Sequence, residues 1–372
     1  MGGVTMGGAT GWDVVGPVPV VALFAAAVLA WGLLLVRRGR RPRLTGLYRR
    51  VGVVASVVVA AVLTTAATAD AVNASFAYAP DLGDVAGLAN GSGDWNLVPT
   101  LALADPAAAP PGTAGVVPLR VPDDGTGVGS AGSLVWLPPQ YVASPTARFP
   151  VVYLLHGSPG VPADWLRGGR LAVTASELAR RGQPAIVVLP RMSRGWLDDP
   201  ECVDGAQEQV ETHFWRDVVP LVDRTFRTVP TRDARVLAGM SAGGFCALNL
   251  GLKHRDRVAT IVDLSGLTMP TRSGGMRALY GSGDIAARAR QDTPARYAPR
   301  LPADPPTRVW LDTGADDGQV RSGLSALAPV LRSRGLQVEL HVRPGAHTFH
   351  VWRPALREAL QWALPATRGA TR

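Results

Sequence analysis

Short runs of β-branched and other apolar residues recur along the chain from about residue 116, and helix-length amphipathic segments such as Val210–Phe226 and Gly323–Arg334 separate most of the later runs. Strands that alternate with helices are typical of a mostly parallel sheet covered on both faces. The first two runs are joined by a Gly-rich turn and are expected to form an antiparallel hairpin at the sheet edge. The predicted strands are Val116–Val121, Ser133–Pro138, Pro150–Leu155, Pro184–Leu189, Arg235–Ala238, Val258–Leu264, Thr307–Thr313 and Gln337–Val342.

Two uncharged apolar runs precede this region, at Pro17–Val36 and Val51–Ala69. A helix rises 1.5 Å per residue, so about 20 residues cross the roughly 30 Å hydrocarbon core of a bilayer. We therefore predict transmembrane helices at about 17–36 and 51–70. Cleavage after the second run is the alternative, because Ala-Thr-Ala at 67–69 resembles a small-residue processing site, and the rest of the chain would still be exported.

The charge distribution sets the expected topology. The formal net charge is +9, and residues 1–50 contain seven Arg against one acid, Asp13. Arg in short loops stays in the cytoplasm, which predicts that loop 37–50 is cytoplasmic and that both termini lie outside the cell membrane. No basic run with interleaved aromatics occurs in the remainder, so nucleic acid is not an expected partner. The oligomeric state is left open.

These patterns divide the chain into three parts. Residues 1–74 are expected to hold the two membrane spans. Residues 75–115 are rich in Ala, Pro, Gly and Asp with no sustained period, which predicts an extracytoplasmic linker. Residues 116–372 are expected to form the α/β domain.

A candidate nucleophile follows the fifth predicted strand. Gly239-Met240-Ser241-Ala242-Gly243 has the G-x-S-x-G pattern, with a strand before it and a helix expected after it. In an α/β-hydrolase fold this sharp turn exposes the serine hydroxyl above the sheet, and the flanking glycines avoid clashes. The pattern predicts Ser241 as the nucleophile of a serine hydrolase.

A serine nucleophile needs an imidazole base and an acid that orients it, and in this fold the chain order is serine, acid, histidine. His347 follows the last predicted strand in a tight loop and is the favoured base, with His350 as the alternative. The acid is expected after the preceding strand, where Asp316 and Asp317 are both candidates.

The oxyanion of the tetrahedral intermediate requires two backbone N–H donors, one from the residue after the nucleophile and one from the loop after an earlier strand. Ala242 provides the first. The strand ending at Leu155 continues into His156-Gly157-Ser158, which predicts the Ser158 N–H as the second donor.

Four motifs resemble the Putative esterase family, which includes esterase D, the S-formylglutathione hydrolases and the mycolyltransferase antigens of mycobacteria. They are Phe149 to Gly157, the Gly239 to Gly244 turn, Leu264-Ser-Gly266, and Gly345-Ala-His347-Thr-Phe-His-Val-Trp352. The resemblance covers about residues 115–365. Gly314-Ala-Asp-Asp317 looks like the family's G-x-x-D, so the resemblance implies Asp317 as the acid, and it places Trp352 beside the base.

The chain has two cysteines, Cys202 and Cys246, and Cys246 lies five residues after Ser241. In an oxidising exterior we predict a disulfide between them that ties an irregular loop to the site. Two buried free thiols are the alternative. Neither cysteine has a partner at metal-ligand spacing, so no metal or other cofactor is expected.

The residues together favour an extracytoplasmic serine esterase or acyltransferase that forms an acyl-Ser241 intermediate from a lipid, acyl-sugar or similar ester. The acceptor of the acyl group would be water or a sugar hydroxyl. A hydrolase-fold protein without catalytic activity that binds a partner at the cell surface is the alternative.

Overall fold

The computed structural model of the chain describes residues 25–31, 54–68, 115–195, 197–199 and 201–365. Two of these ranges, 25–31 and 54–68, are helices within the predicted membrane spans. No helix in the described ranges is both long enough and apolar enough to cross a bilayer, so the two-span prediction gains no support. The described residues do not include the remainder of those spans, loop 37–50 or linker residues 75–114.

Eight strands form one sheet in the order β1-β2-β4-β3-β5-β6-β7-β8. Strand β2 is antiparallel to β1 and β4, and all other neighbouring strands are parallel. The predicted parallel α/β sheet and its antiparallel edge hairpin are therefore confirmed. The strands are β1 Gly115–Leu119, β2 Ser133–Leu137, β3 Val151–Leu155, β4 Ile186–Leu189, β5 Arg235–Met240, β6 Thr260–Leu264, β7 Arg308–Gly314 and β8 Gln337–Arg343.

The helices connect the strands and pack against the sheet. Every residue of β3 and β4 is buried, which explains why these strands are continuous apolar runs without alternation. Strand β6 is also buried throughout, although it contains Thr260 and Asp263. The α-helices are Pro139–Ala143, Asp164–Arg167, Leu171–Arg180, Val210–Thr212, Val219–Thr225, Ala242–Lys253, Gly275–Tyr280, Ile285–Gln291, Pro294–Tyr297, Gly318–Ser333 and Phe349–Ala363. A π-helix at His213–Val218 interrupts the helix predicted for Val210–Phe226.

The strand order determines where a ligand can bind. After β3 the chain places β4 on one side of it, and β5 and the later strands on the other. The loops that leave β3 and β5 therefore diverge, and in a parallel sheet this divergence leaves a crevice at the carboxyl ends of the strands. The loops that contain Ser158, Ser241, Asp317 and His347 all follow strands at this edge.

The predicted disulfide is present. Cys202 and Cys246 are bonded, with Cα atoms 5.3 Å apart, and both side chains are buried. Cys246 lies in the helix Ala242–Lys253, hereafter the elbow helix. The bond therefore fixes the loop around residue 202 against the helix that begins directly after Ser241.

Removing this disulfide is expected to lower the free energy of unfolding by about 4 kcal/mol, because a cross-link over 44 residues restricts the unfolded chain. Equilibrium urea unfolding with and without reductant measures the effect. A Cys202→Ala/Cys246→Ala double variant is the control and should not respond to reductant. Equal unfolding midpoints for the oxidised and reduced wild type would contradict the expectation.

Candidate active site

Ser241 lies at the bend between β5 and the elbow helix. Its φ of 55° is in the left-handed region, which is strained for a residue with a side chain. The Ser241 N–H donates to the Leu264 carbonyl over 2.8 Å, which fixes the bend against β6. A Cβ at Gly239 would overlap the Gly243 carbonyl, and one at Gly243 would overlap the Leu155 carbonyl, so both glycines are required by close backbone packing.

His347 lies beside Ser241. The Ser241 hydroxyl and His347 Nε2 are 2.8 Å apart, which is hydrogen-bonding distance. The Trp352 ring packs edge-on against the imidazole, with ring centroids 4.9 Å apart, and restricts its orientation. The other two late histidines lie elsewhere: His341 is within β8 and stacks on Trp310 at 3.8 Å, and His350 is exposed on the last helix.

Asp317 contacts the second ring nitrogen. His347 Nδ1 is 2.6 Å from Asp317 Oδ2, so the hydrogen bonds favour the tautomer that donates from Nδ1 and leaves Nε2 free to accept the serine proton. Asp317 occupies the N-cap position of Gly318–Ser333, yet its side chain makes no cap hydrogen bond. Asp316 is exposed, and its backbone N–H donates to the Gly345 carbonyl over 2.9 Å.

The two predicted oxyanion donors, Ser158 and Ala242, line the same cavity as Ser241 and His347. Within the described ranges neither backbone N–H makes a hydrogen bond to another backbone group. His156 supports the loop before Ser158: its Nδ1 donates to the Gly157 carbonyl over 2.8 Å, and its Nε2 accepts from the Met192 N–H over 3.3 Å. Burial lowers the pKa of His156 to about 4, so the ring is neutral at neutral pH.

The cavity beside Ser241 has a volume of about 210 Å³. Phe245, Leu267 and Val320 give it an apolar side. Gln319 adds a polar side chain to the lining, and four more polar residues form a second group, hereafter the polar wall, made of Asp199, Glu201, Ser265 and Thr271. Sequence reasoning missed the polar wall. The one signal for it was Cys202, because the disulfide that brings this residue to the elbow helix also brings Glu201.

The two acids of the polar wall are held close together. Asp199 Oδ1 accepts the Glu201 N–H over 3.2 Å, and Glu201 Oε1 accepts the Thr271 N–H. Burial raises the pKa of the Asp199 carboxyl. Burial and the neighbouring Asp199 raise the pKa of the Glu201 carboxyl. The wall therefore carries less negative charge at neutral pH than two surface carboxylates would.

A third buried acid lies under the bend. Asp263, in β6, accepts the Gly266 N–H at Oδ1 over 2.6 Å, and a Cβ at Gly244 would overlap the same oxygen. Burial raises the pKa of Asp263 from 3.8 to about 8, the Gly266 hydrogen bond opposes this shift, and the charge of Asp312 adds to it. The carboxyl is therefore protonated at neutral pH in the folded chain.

The buried carboxyl predicts a pH dependence of stability. Between pH about 4 and about 8 the folded state keeps the Asp263 proton that the unfolded state has lost. The contribution of the Asp263 carboxyl to the free energy of unfolding is thus complete below pH about 4. As the pH rises to about 8, this contribution is lost at a rate of at most about 1.4 kcal/mol per pH unit. Asp263→Asn should make the decline of unfolding free energy between pH 5 and 7 shallower by about this amount. Equal slopes for the variant and the wild type would contradict the assignment.

Comparison with known proteins identifies similar sequences. The model of the Putative esterase family matches residues 130–363. An uncharacterized protein of Corynebacterium glutamicum is 28% identical over 256 residues, which cover 66% of this chain and 60% of that protein. An esterase of Mycobacterium tuberculosis is 27% identical over 264 residues, covering 63% of this chain and 57% of that protein. The match thus spans somewhat under two thirds of the length of these curated relatives.

Solved structures share the fold. A ferulic acid esterase superposes with a TM-score of 0.57 at 21% sequence identity, covering 67% of this chain and 97% of that one. At this identity the likeness shows the arrangement of strands and helices. It agrees with the α/β-hydrolase fold expected from the strand pattern and from the serine at the end of β5.

Proposed function

Because the chain belongs to the Putative esterase family, we propose that it is a serine esterase in which Ser241 is the nucleophile, His347 the general base and Asp317 the residue that orients the base. One observation carries this proposal: the His347 ring lies within hydrogen-bonding distance of Ser241 Oγ at 2.8 Å and of Asp317 Oδ2 at 2.6 Å. An imidazole held between a hydroxyl and a carboxyl group has the arrangement that acyl transfer through serine requires.

The first half of the proposed reaction acylates Ser241. His347 Nε2 takes the hydroxyl proton as Ser241 Oγ attacks the ester carbonyl carbon. The negative charge then moves to the carbonyl oxygen, where the Ser158 and Ala242 N–H groups donate to it. When the C–O bond to the leaving alcohol breaks, His347 returns the proton to that alcohol, and an acyl-Ser241 ester remains.

The second half releases the acyl group. His347 takes a proton from a water molecule or an acceptor alcohol, whose oxygen attacks the acyl carbonyl. Collapse of the second tetrahedral intermediate breaks the bond to Ser241 Oγ, and His347 returns the proton to the serine. Asp317 accepts the Nδ1 hydrogen bond throughout and stabilises the imidazolium that forms in each half.

Rapid mixing with excess p-nitrophenyl butyrate tests the proposal. An acyl-enzyme that forms faster than it is hydrolysed gives a burst of p-nitrophenol equal to the enzyme concentration, followed by a slower steady rate. Added glycerol should then divide the acyl group between acid and glyceryl ester if alcohols are acceptors. A folded wild-type protein with no turnover of any p-nitrophenyl ester would instead favour a binding role.

We also propose that the esterase part lies outside the cytoplasm. The support is the disulfide between Cys202 and Cys246, since such bonds persist in oxidising compartments. Because both cysteine side chains are buried, the test is acid quenching of the cells followed by alkylation of the thiols in denaturant. Protein isolated from its native host should carry no alkylated cysteine, whereas full modification of both thiols would contradict the location.

A further inference from the structure

Ser265 keeps an unusual conformation at the carboxyl end of β6. Its φ is 59°, a value that favours glycine. The backbone is held on both sides: the Ser265 N–H donates to the Asp312 carbonyl over 2.7 Å, and the Gly266 N–H donates to Asp263. The position of the Ser265 backbone and Cβ is therefore fixed by the sheet.

The Ser265 hydroxyl has no partner among the described residues, although the side chain is only 1% exposed. Buried polar groups are nearly always hydrogen-bonded, and residues kept in strained conformations are concentrated at functional sites. Ser265 lines the same cavity as Ser241. A strained serine that lines this cavity and whose buried hydroxyl lacks a partner points to a hydroxyl group kept for a bound molecule.

Glu201 borders the cavity with Ser265. It is 2% exposed, and the Thr271 N–H bonds its Oε1 atom, so its carboxyl is also held in place. We propose that Ser265 and Glu201 form a subsite that hydrogen-bonds an uncharged hydroxyl group of the ester substrate close to the reacting carbonyl. A ligand hydroxyl can accept a hydrogen bond from one of these groups and donate to the other.

The surrounding charges favour an uncharged ligand. An anionic group would meet the carboxyl groups of Asp199 and Glu201. For a cationic group the attraction is reduced by Arg272, whose guanidinium donates to the Asp199 carbonyl oxygen over 3.0 Å. Since Phe245, Leu267 and Val320 supply an apolar side of the cavity, the substrate class is an ester with an apolar acyl chain and an alcohol part that carries free hydroxyls.

This inference rests on the proposed esterase activity, and matched substrates test it. Glyceryl monobutyrate and propyl butyrate differ by two hydroxyls. We expect wild-type kcat/KM to be at least about tenfold higher for the glyceryl ester. Ser265→Ala should remove this preference by lowering kcat/KM for the glyceryl ester about tenfold more than kcat/KM for propyl butyrate. Ser265→Gly suits the positive φ and should lose the preference in the same way, so a folding defect of the alanine variant does not prevent the test.

A control variant and a cationic substrate test whether the subsite recognises a hydroxyl group. Ser273→Ala, at an exposed serine of the same connection, is the matched control and should keep the wild-type preference. Choline butyrate provides a cationic alcohol, and a wild-type preference for it would overturn the proposal. Equal losses on the glyceryl and propyl esters, or no loss, would also overturn the hydroxyl subsite. Absence of all ester turnover by the wild type would refute the esterase activity itself.

Discussion

His347→Ala should lower kcat for ester hydrolysis by roughly 10⁴- to 10⁶-fold. The imidazole is 2.8 Å from the Ser241 hydroxyl, and without it no base takes the serine proton as the C–O bond forms. Steady-state hydrolysis of p-nitrophenyl butyrate measures the loss. KM should change much less than kcat, because the imidazole acts on the proton transfers and not on the acyl chain.

The matched control for this substitution is His350→Ala. His350 is three residues away and exposed, so its removal should leave kcat within about twofold of wild type. A His347→Ala variant that keeps wild-type kcat, or a His350→Ala variant with an equal loss, would show that the base has been misassigned. Far-ultraviolet circular dichroism of both variants checks that the sheet is intact.

Asp317→Asn should lower kcat by roughly 10³- to 10⁴-fold at neutral pH. The Asp317 carboxylate accepts a hydrogen bond from His347 Nδ1–H, with Nδ1 and Oδ2 2.6 Å apart. A carboxamide can instead donate to Nδ1, which favours the tautomer with the proton on Nε2, where it blocks acceptance from Ser241. The asparagine also lacks the charge that stabilises the imidazolium in the transition state.

Asp316→Asn is the control for the acid, because Asp316 is adjacent in sequence and exposed. Its kcat should stay within about twofold of wild type. Since the two aspartates occupy one loop, the pair of variants separates loss of the orienting carboxylate from a general disturbance of that loop. Equal effects of the two substitutions would contradict the assignment of Asp317.

The sheet was predictable because its signals are local. Each strand is an apolar run bounded by loop residues, and the eight predicted runs correspond to the eight observed strands. The interruption at His213–Val218 was not predictable from periodicity, since a π-helix shifts the register by a residue without changing which side chains are apolar. The order of the strands in the sheet could not be predicted from local sequence patterns either, because it depends on contacts between distant parts of the chain.

The residues around Ser241 also divide into those that a local sequence pattern predicts and those that it does not. The place of Ser241 at a strand-to-helix bend was predictable because a strand, a glycine-flanked turn and a helix are adjacent in sequence. Choosing His347 and Asp317 required the chain order of the fold and, for the acid, the resemblance. The structure then brings these three side chains together. Glu201 and Ser265 share one cavity although 63 residues separate them in the sequence, so no local pattern indicated their proximity.

Labelling with a fluorophosphonate and peptide mapping by mass spectrometry test the central claim most directly, since the probe reacts preferentially with an activated serine hydroxyl. The hydrogen-bonded arrangement of Ser241, His347 and Asp317 predicts one adduct per chain, located on Ser241, with strongly reduced labelling in His347→Ala and none in Ser241→Ala. An unlabelled but folded wild-type protein, or an adduct on another residue such as Ser265, would contradict it.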